Sequence, residues 1–364
     1  QPREGCLLGL ARLGVEQPVG QHLLHGLGVG RVHLGHLGLG DFPREHATDA
    51  ASAGVHVQHD LGGVLQVQRE EPQQHVHHEV HRGVVVVQQQ HLAQRRPLRL
   101  GPGLRQKAGI AAEPKSYDEF LADLGKLKAA GVIPLALGGQ PWQEKITFDA
   151  VFADVGGPDL YLKVYRDRDQ NAVKSDAFRK VLASFKRLHD FVDPGSPGRN
   201  WNDATALVIS GKAGVQIMGD WAKGEFSAAN QVAGKDFGCF PGFGPHSPYL
   251  VAGDVFVFPK TDNANAIKAQ NLLATVMTSP AAQVAFSAKK GSIPIRPDVD
   301  ASSLDICAKE GMAIMKDKSR QLPNPEMLLS PDTQGALIDV ITNFWNKNQS
   351  VDDAQKAFAS ALKS

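Results

Sequence analysis

Two tryptophans stand in settings suited to binding chemistry. Trp142 lies in Gly138-Gly139-Gln140-Pro141-Trp142-Gln143, and Trp221 in Gly219-Asp220-Trp221-Ala222-Lys223. Each is a flat aromatic beside polar side chains in a glycine-flanked turn. A sugar carries hydroxyls around a ring whose C–H faces are apolar, so its site needs flat apolar surfaces and fixed polar groups together. The pattern places Trp221 between a strand and a helix N-terminus, and loops at strand ends are where α/β proteins bind ligands. Plain core packing is the competing reading for Trp142. For Asp220 it is a helix cap, because one side chain cannot easily both cap and contact a ligand. Asp254 reads as a carboxylate in mid-strand among Val and Phe, costly to bury without donors, which favours a site role. Trp201 and Trp345 have helix-face neighbours and read as core.

Other chemistry-bearing spacings carry less. His75, His77, His78 and His81 in HVHHEVH have a spacing that could gather a transition metal. Gly26, Gly28 and Gly30 in GLGVG resemble a phosphate loop only faintly, with no βαβ unit around them. Both fall before residue 107, where the text itself is abnormal. Residues 1–106 contain no Lys, Asn, Ile, Met, Tyr or Trp, while all 22 Lys lie from Lys107 onward and 12 of the 14 His precede it. Apart from Cys6, Phe42, Thr48 and Ser52, those residues use only ten types, all with codons that can begin with G or C. A GC-rich gene translated out of frame, or from the opposite strand, yields this alphabet. Residues 1–106 are therefore expected to be non-native text without a packed domain, and no metal site or other chemistry is assigned there. Val84 to Val87 could form a strand, yet their flanks give no alternation that would bury one face.

The elements that must position the tryptophans follow Lys107. Ser116 and Glu119 form a capping box, and Phe120, Leu121, Leu124 and Leu127 recur at helical spacing until Gly131 stops the helix. Residues 132–137 read as a buried strand. A helix starts at Ser175 with Phe178, Val181, Leu182, Phe185, Leu188 and Phe191 on its apolar face. Residues 215–219 read as a strand, with Asp220 capping a helix from Trp221. Residues 251–259 read as a strand and 264–277 as a helix, and helices near 333–347 and 351–363 close the chain. Strands alternating with helices indicate α/β architecture. A length of 364 residues allows two domains. The formal net charge of +1 gives no reason to expect nucleic acid or an anionic membrane as partner. Apolar stretches fall short of the roughly 20 residues a spanning helix needs, and no signal-peptide pattern opens the chain as given.

Four segments carry a family resemblance: residues 107–131, GGQPWQ at 138–143, GKAGVQIMGDWAKGEF at 211–226 and KKGSIPIRPDV at 289–299. Together they resemble the periplasmic glucose/mannose-type sugar-binding proteins of ATP-binding cassette importers, within the extracellular solute-binding family that includes maltose-binding protein. The resemblance spans 107–364 and none of 1–106. It implies a periplasmic-binding-protein-like fold, two α/β lobes joined by hinge crossings, with the first lobe largely missing or non-native here. Residues 107–250 and 300–364 would form the second lobe, and 251–299 a remnant of the first. It implies a periplasmic carrier, most simply a monomer, that closes on a sugar and docks on permease subunits, without cofactor or metal. The sugar-binding set it implies is Gln140, Trp142, Trp221, Asp254 and Lys290, with Asp254 accepting from sugar hydroxyls and Lys290 donating. Relatives often carry a sugar-contacting His before the last helices, where this chain reads PNPEMLLSPDTQG, so the sugar preference stays open. Setting Cys6 aside leaves Cys239 and Cys307, which an oxidising periplasm would allow to pair; two unrelated buried thiols are the alternative. Two further functions remain: a secreted glycosidase using Asp220 and Asp254 as its carboxylates, and a sensor module presenting bound sugar to a receptor.

Overall fold

The computed structural model describes residues 102–239 and 241–364, together with the backbone of three strands, β1 (Val55–His59), β2 (Leu65–Arg69) and β3 (Val85–Gln88). The histidine cluster at 75–81, the glycines at 26–30 and most of the 1–106 segment lie outside the described residues. By backbone contacts the chain divides between Gln1–Gly54 and Val55–Ser364, and all the described residues belong to the second unit. Within it run helices α1 (Pro102–Lys107), α2 (Tyr117–Ala129), α3 (Pro141–Val151), α4 (Gly157–Tyr165), α5 (Gln170–Val173), α6 (Asp176–Arg187), α7 (Trp201–Ile209), α8 (Ala222–Ala228), α9 (Ala264–Met277), α10 (Pro280–Lys290), α11 (Ile306–Ile314), α12 (Pro331–Asn346) and α13 (Val351–Ala361). The later strands are β4 (Ile133–Ala136), β5 (Ala213–Gln216), β6 (Tyr249–Val251), β7 (Asp254–Val257) and β8 (Gln321–Pro323). Among the described residues, no helix is long and apolar enough to cross a membrane.

Local chemistry sets most helix starts. Ser116 accepts from the Glu119 N–H and so caps α2, but the Glu119 carboxylate reaches the Lys115 N–H at 2.7 Å, one residue before the cap. Ser175, Ser279, Ser330 and Ser350 cap α6, α10, α12 and α13 in the same way, each satisfying one of the first-turn donors. Among the described residues the sheets are all pairs. β4 lies parallel to β5, Leu135 opposite Val215, and β6 lies parallel to β8, Leu250 opposite Leu322. β7 pairs antiparallel with β3, Gln88 opposite Asp254, so the 85–88 run forms a strand although its flanks lack alternation. The expected single strand over 251–259 is broken: β6 ends at Val251 and β7 begins at Asp254, so Asp254 opens a strand rather than sitting inside one.

The main core gathers α2, α3, α4, α6, α12 and α13 around Phe148, Phe152, Phe178, Phe185, Phe344 and Phe358. Helix α3 runs through this core and is buried from Gln143 to Val151. Its polar side chains are therefore matched internally. Lys145 bonds both Asp149 oxygens at 2.7 and 2.6 Å, and the Tyr165 hydroxyl donates to Asp149 at 2.5 Å. Burial pushes the Tyr165 phenol well above its ordinary range, and the Asp149 charge pushes the same way. Loss of either member of the enclosed Lys145–Asp149 pair would strand a charge, which costs roughly 3–5 kcal/mol. At the N-terminus of α3 stand Gln140, in the cap position, and Trp142.

Candidate functional site

The turn before α3 is built by close backbone approach. A Cβ on Gly139 would meet the Ser196 carbonyl at 2.3 Å, so only glycine fits there. The Gly139 N–H donates to the Arg199 carbonyl at 3.0 Å, and the Ser196 hydroxyl donates to the Leu137 carbonyl at 3.0 Å. Arg199 is itself fixed by a two-pronged pair with Asp193. On this base the Trp142 indole N–H donates to Gln140 Oε1 at 3.1 Å.

Trp221 arrives from the opposite direction. Its ring lies over Gly219, where any Cβ would fall 2.0 Å from the indole. Helix α8 begins at Ala222 with Trp221 in the cap position and no side-chain cap, so the expected helix start at Trp221 moves on by one residue. The Asp220 side chain turns inward, and the residue is 4% exposed. The two indoles meet one floor: Trp142 and Trp221, both half-buried, pack against Ile146 and Ala252. Both, with Trp201, also border the cluster of Ala136, Met218, Ala222 and Phe226. Trp201 is thus partly buried beside the other two tryptophans, whereas Trp345 belongs to the main core.

Two residues beyond Ala252, Asp254 forms an ion pair with Lys290, the last residue of α10. Gly291 ends that helix in the left-handed region at φ 87°, and a Cβ there would lie 2.7 Å from the Asp220 carbonyl. Gly224 of α8 approaches the Lys290 carbonyl equally closely. This glycine-to-glycine contact brings the end of α10 against the Trp221 turn. Burial pushes the Lys290 ammonium down to about 8, against the pull of the Asp220 carboxylate. Trp142, Trp221, Asp254 and Lys290 are therefore gathered at one place from four separate segments, with Gln140 behind Trp142. Three contributors were not singled out from the sequence: Gln143, Asn200 and the Ile146–Ala252 floor. Only the glycines beside them gave a signal.

Away from this cluster, Cys239 and Cys307 are joined in a disulfide with Cα atoms 6.0 Å apart. It fastens the loop after α8 to α11, beside the Lys223–Asp305 ion pair at 2.8 Å. Among the described residues, concavities lie elsewhere as well. One is apolar, lined by Ile110, Pro114, Phe120 and Leu124; another is edged by Lys174, Asp352, Lys356 and Lys363. Neither touches a tryptophan. Among the described residues no group of His, Cys, Asp and Glu is arranged to hold a metal.

Residues 99–284 match the family model described as bacterial extracellular solute-binding protein. A probable sugar-binding periplasmic protein of Mesorhizobium japonicum is 48% identical over 205 residues, 56% of this chain and 49% of that protein. One of the same description from Brucella suis is 38% identical over 267 residues, 71% of this chain and 62% of that protein. The chain thus spans about half to three-fifths of the length of these curated relatives. Among solved structures, the bacterial solute receptor AcbH, described as having an exclusive preference for β-D-galactopyranose, superposes with a TM-score of 0.63 at 20% identity, over 77% of this chain and 71% of its own. A chitin oligosaccharide binding protein gives 0.59 at 20% identity, over 74% and 70%. At such identities the likeness shows a shared fold, that of the periplasmic sugar-binding proteins.

Proposed function

The chain belongs to the bacterial extracellular solute-binding protein family, and on that premise we propose that it captures a neutral sugar, glucose- or mannose-like, for an ATP-binding cassette importer in the periplasm. The observation that carries this reading is the convergence of two indoles on one apolar floor beside an Asp–Lys pair. Indole faces suit the C–H faces of a pyranose, and the pair supplies an acceptor and a donor for its hydroxyls. Asp254 and Lys290 offset each other and Asp220 stands near the same ammonium, so the cluster holds no surplus positive charge for an anionic ligand. Trp142 and Trp221 make the stacking contacts, Asp254 accepts, Lys290 donates, and Gln140 stands beside Trp142 and accepts from its indole. Residues 107–250 and 300–364 act as one lobe and 251–299 as part of the other. The sugar bridges Lys290 and Asp254 to the tryptophans and so favours the closed form. Permease subunits read that form. The same pair argues against glycoside hydrolysis by Asp220 and Asp254. A hydrolase needs one carboxyl held as an acid, whereas Lys290 contacts Asp254 and is attracted by Asp220.

Titration calorimetry with glucose, mannose, galactose and xylose, alongside tryptophan fluorescence, tests this. Binding of at least one neutral sugar without turnover is the expected result. Heat from none of them, with no change in emission, or release of product from an oligosaccharide, would refute it.

A further inference from the structure

Trp142 is held by a chain of side-chain amides whose direction is fixed at both ends. The indole N–H can only donate, and it donates to Gln140 Oε1 at 3.1 Å. The Arg199 carbonyl can only accept, and Gln143 Nε2 gives it one hydrogen at 3.3 Å. The other hydrogen of Gln143 Nε2 goes to Gln140 Oε1 at 2.8 Å. Gln140 must therefore turn its oxygen toward Trp142 and Gln143 and its nitrogen away, where Nε2 donates to Asn200 Oδ1 at 3.1 Å. Reversing Gln140 or Asn200 would set donor against donor, and reversing Gln143 would set acceptor against acceptor. Gln143 is fully enclosed, and its Oε1 presses on Gly138, where a Cβ would lie 1.9 Å away. Only glycine at 138 leaves room for that amide.

Asn200 ends the chain in an uncommon way. It occupies the N-cap position of α7, where an Asn side chain ordinarily accepts from its own helix and contributes about 1 kcal/mol. Here it makes no cap bond, and its oxygen takes the Gln140 hydrogen instead. Asn200 is exposed and adjoins Trp201, which borders the same apolar cluster as Trp142 and Trp221. Both acceptor positions of the Gln140 oxygen are occupied. What remains to face a ligand is one N–H of Gln140 and the Nδ2 hydrogens of Asn200.

We propose that this amide chain orients the Trp142 ring and presents a donor edge, Gln140 Nε2 and Asn200 Nδ2, to acceptor oxygens of the sugar, making Asn200 a further binding residue and Gln143 a positioning residue. The proposal rests on reading the cluster as a sugar site. Gln140 then contributes only as a donor, and its oxygen serves the indole. Sugars whose oxygen at this edge is removed or etherified into a poorer acceptor lose affinity there.

Three variants of the intact chain test it, followed by the Trp142 indole N–H resonance and by calorimetry with whichever neutral sugar binds the unaltered protein. In N200D the carboxylate still accepts from Gln140 but has no donor to offer. In Q140E the carboxylate still takes the Trp142 and Gln143 hydrogens but cannot donate, so Asn200 must turn its oxygen outward. N200D should keep the indole resonance where it was, Q140E should move it downfield as its acceptor becomes charged, and both should weaken sugar binding roughly tenfold, about one lost hydrogen bond. Q140M offers the indole no comparable acceptor and should move the resonance. N200D affinity within twofold of the unaltered protein would overturn the donor edge. An unmoved resonance in Q140M, or an upfield one in Q140E, would overturn the positioning role, with or without sugar. Absence of all sugar binding by the unaltered protein would sink the sugar reading and the donor edge with it, while the indole resonances would still decide whether the amide chain orients Trp142.

Discussion

Replacing Gly219 by Ala isolates the placement of the Trp221 ring. A Cβ built on Gly219 lies 2.0 Å from Cζ3 of that ring and 2.3 Å from Cε3 and Cη2. Carbon atoms in contact need about 3.5 Å, so the ring must retreat by about 1.5 Å. Gly219 is not among the residues with positive φ, so the alanine meets no backbone strain and the whole effect falls on the indole. The ring is half-buried and can swing toward solvent rather than disturb the core. The fold should therefore lose only about 1 kcal/mol of packing against Ile146 and Ala252, or roughly 2–4 °C in melting temperature. Sugar affinity should fall much further, because a displaced indole no longer stacks. A contact aromatic at a binding site is worth roughly 1–3 kcal/mol, about 5- to 150-fold in Kd. Fluorescence titration gives the affinity, thermal melting the stability, and the Trp221 emission should shift to the red as the ring is wetted. Wild-type affinity despite a red-shifted emission would show that Trp221 is not where the sugar binds, and unchanged emission would show that the ring is not displaced. A collapse in stability would show that the ring cannot swing out.

Three further outcomes follow from other parts of the molecule. Replacing Cys239 and Cys307 together by Ala frees a loop of 68 residues, and chain entropy sets the loss near 4 kcal/mol; a urea midpoint unchanged by reduction would contradict a formed bridge. Lys290 is held at about 8 against an ordinary 10.5. The unfolded chain then binds more protons between those values, so stability should rise with pH through that window and stay flat below it. The ceiling is about 3 kcal/mol, lowered by the contact with Asp254. Lys290→Met should abolish the slope, and urea titrations at pH 7.5, 9 and 10 would show it. Leu272 and Leu273 of α9 are 60% and 49% exposed. Changing both leucines to Gln should reduce dye binding and aggregation by light scattering without lowering the melting temperature, and unchanged aggregation would exonerate this face.

The helices were legible because their signals are local. Ser116, Ser175 and the apolar stripe through Phe178, Val181, Leu182 and Phe185 lie within one or two turns of what they control. Helix α9 came out at 264–277, as periodicity and its flanks had it. The break between β6 and β7 was not legible, since Ala252 and Gly253 lie in a run that reads as one strand. Only the separate partners, β8 and β3, show that the two halves pair with different strands. Helix α3 hid its character more thoroughly. Gln143, Glu144, Lys145 and Asp149 look like a solvated face, and their burial depends on Tyr165 and on Asn346, which donates to Glu144 at 2.8 Å from 202 residues away.

The site divides along the same line between local and distant causes. Trp142 and Trp221 could be picked out because aromatics between glycines are uncommon and the glycines have a steric reason: Gly139, Gly219, Gly224 and Gly291 each stand where a Cβ would strike backbone or ring. The polar members were harder, because an amide or carboxylate is identified by its partner. Asn200 carries a strong local reason to cap α7, being an Asn at its N-cap position. In the fold the Gln140 amide outcompetes the helix N-terminus for its oxygen. The competition is decided by Gln143, enclosed and pinned between Gly138 and the Arg199 carbonyl, which leaves Gln140 no other orientation. A residue that forgoes its local bond for a distant one marks tertiary structure imposing a direction. Here that direction turns donors outward beside Trp142, where an acceptor-rich ligand would meet them.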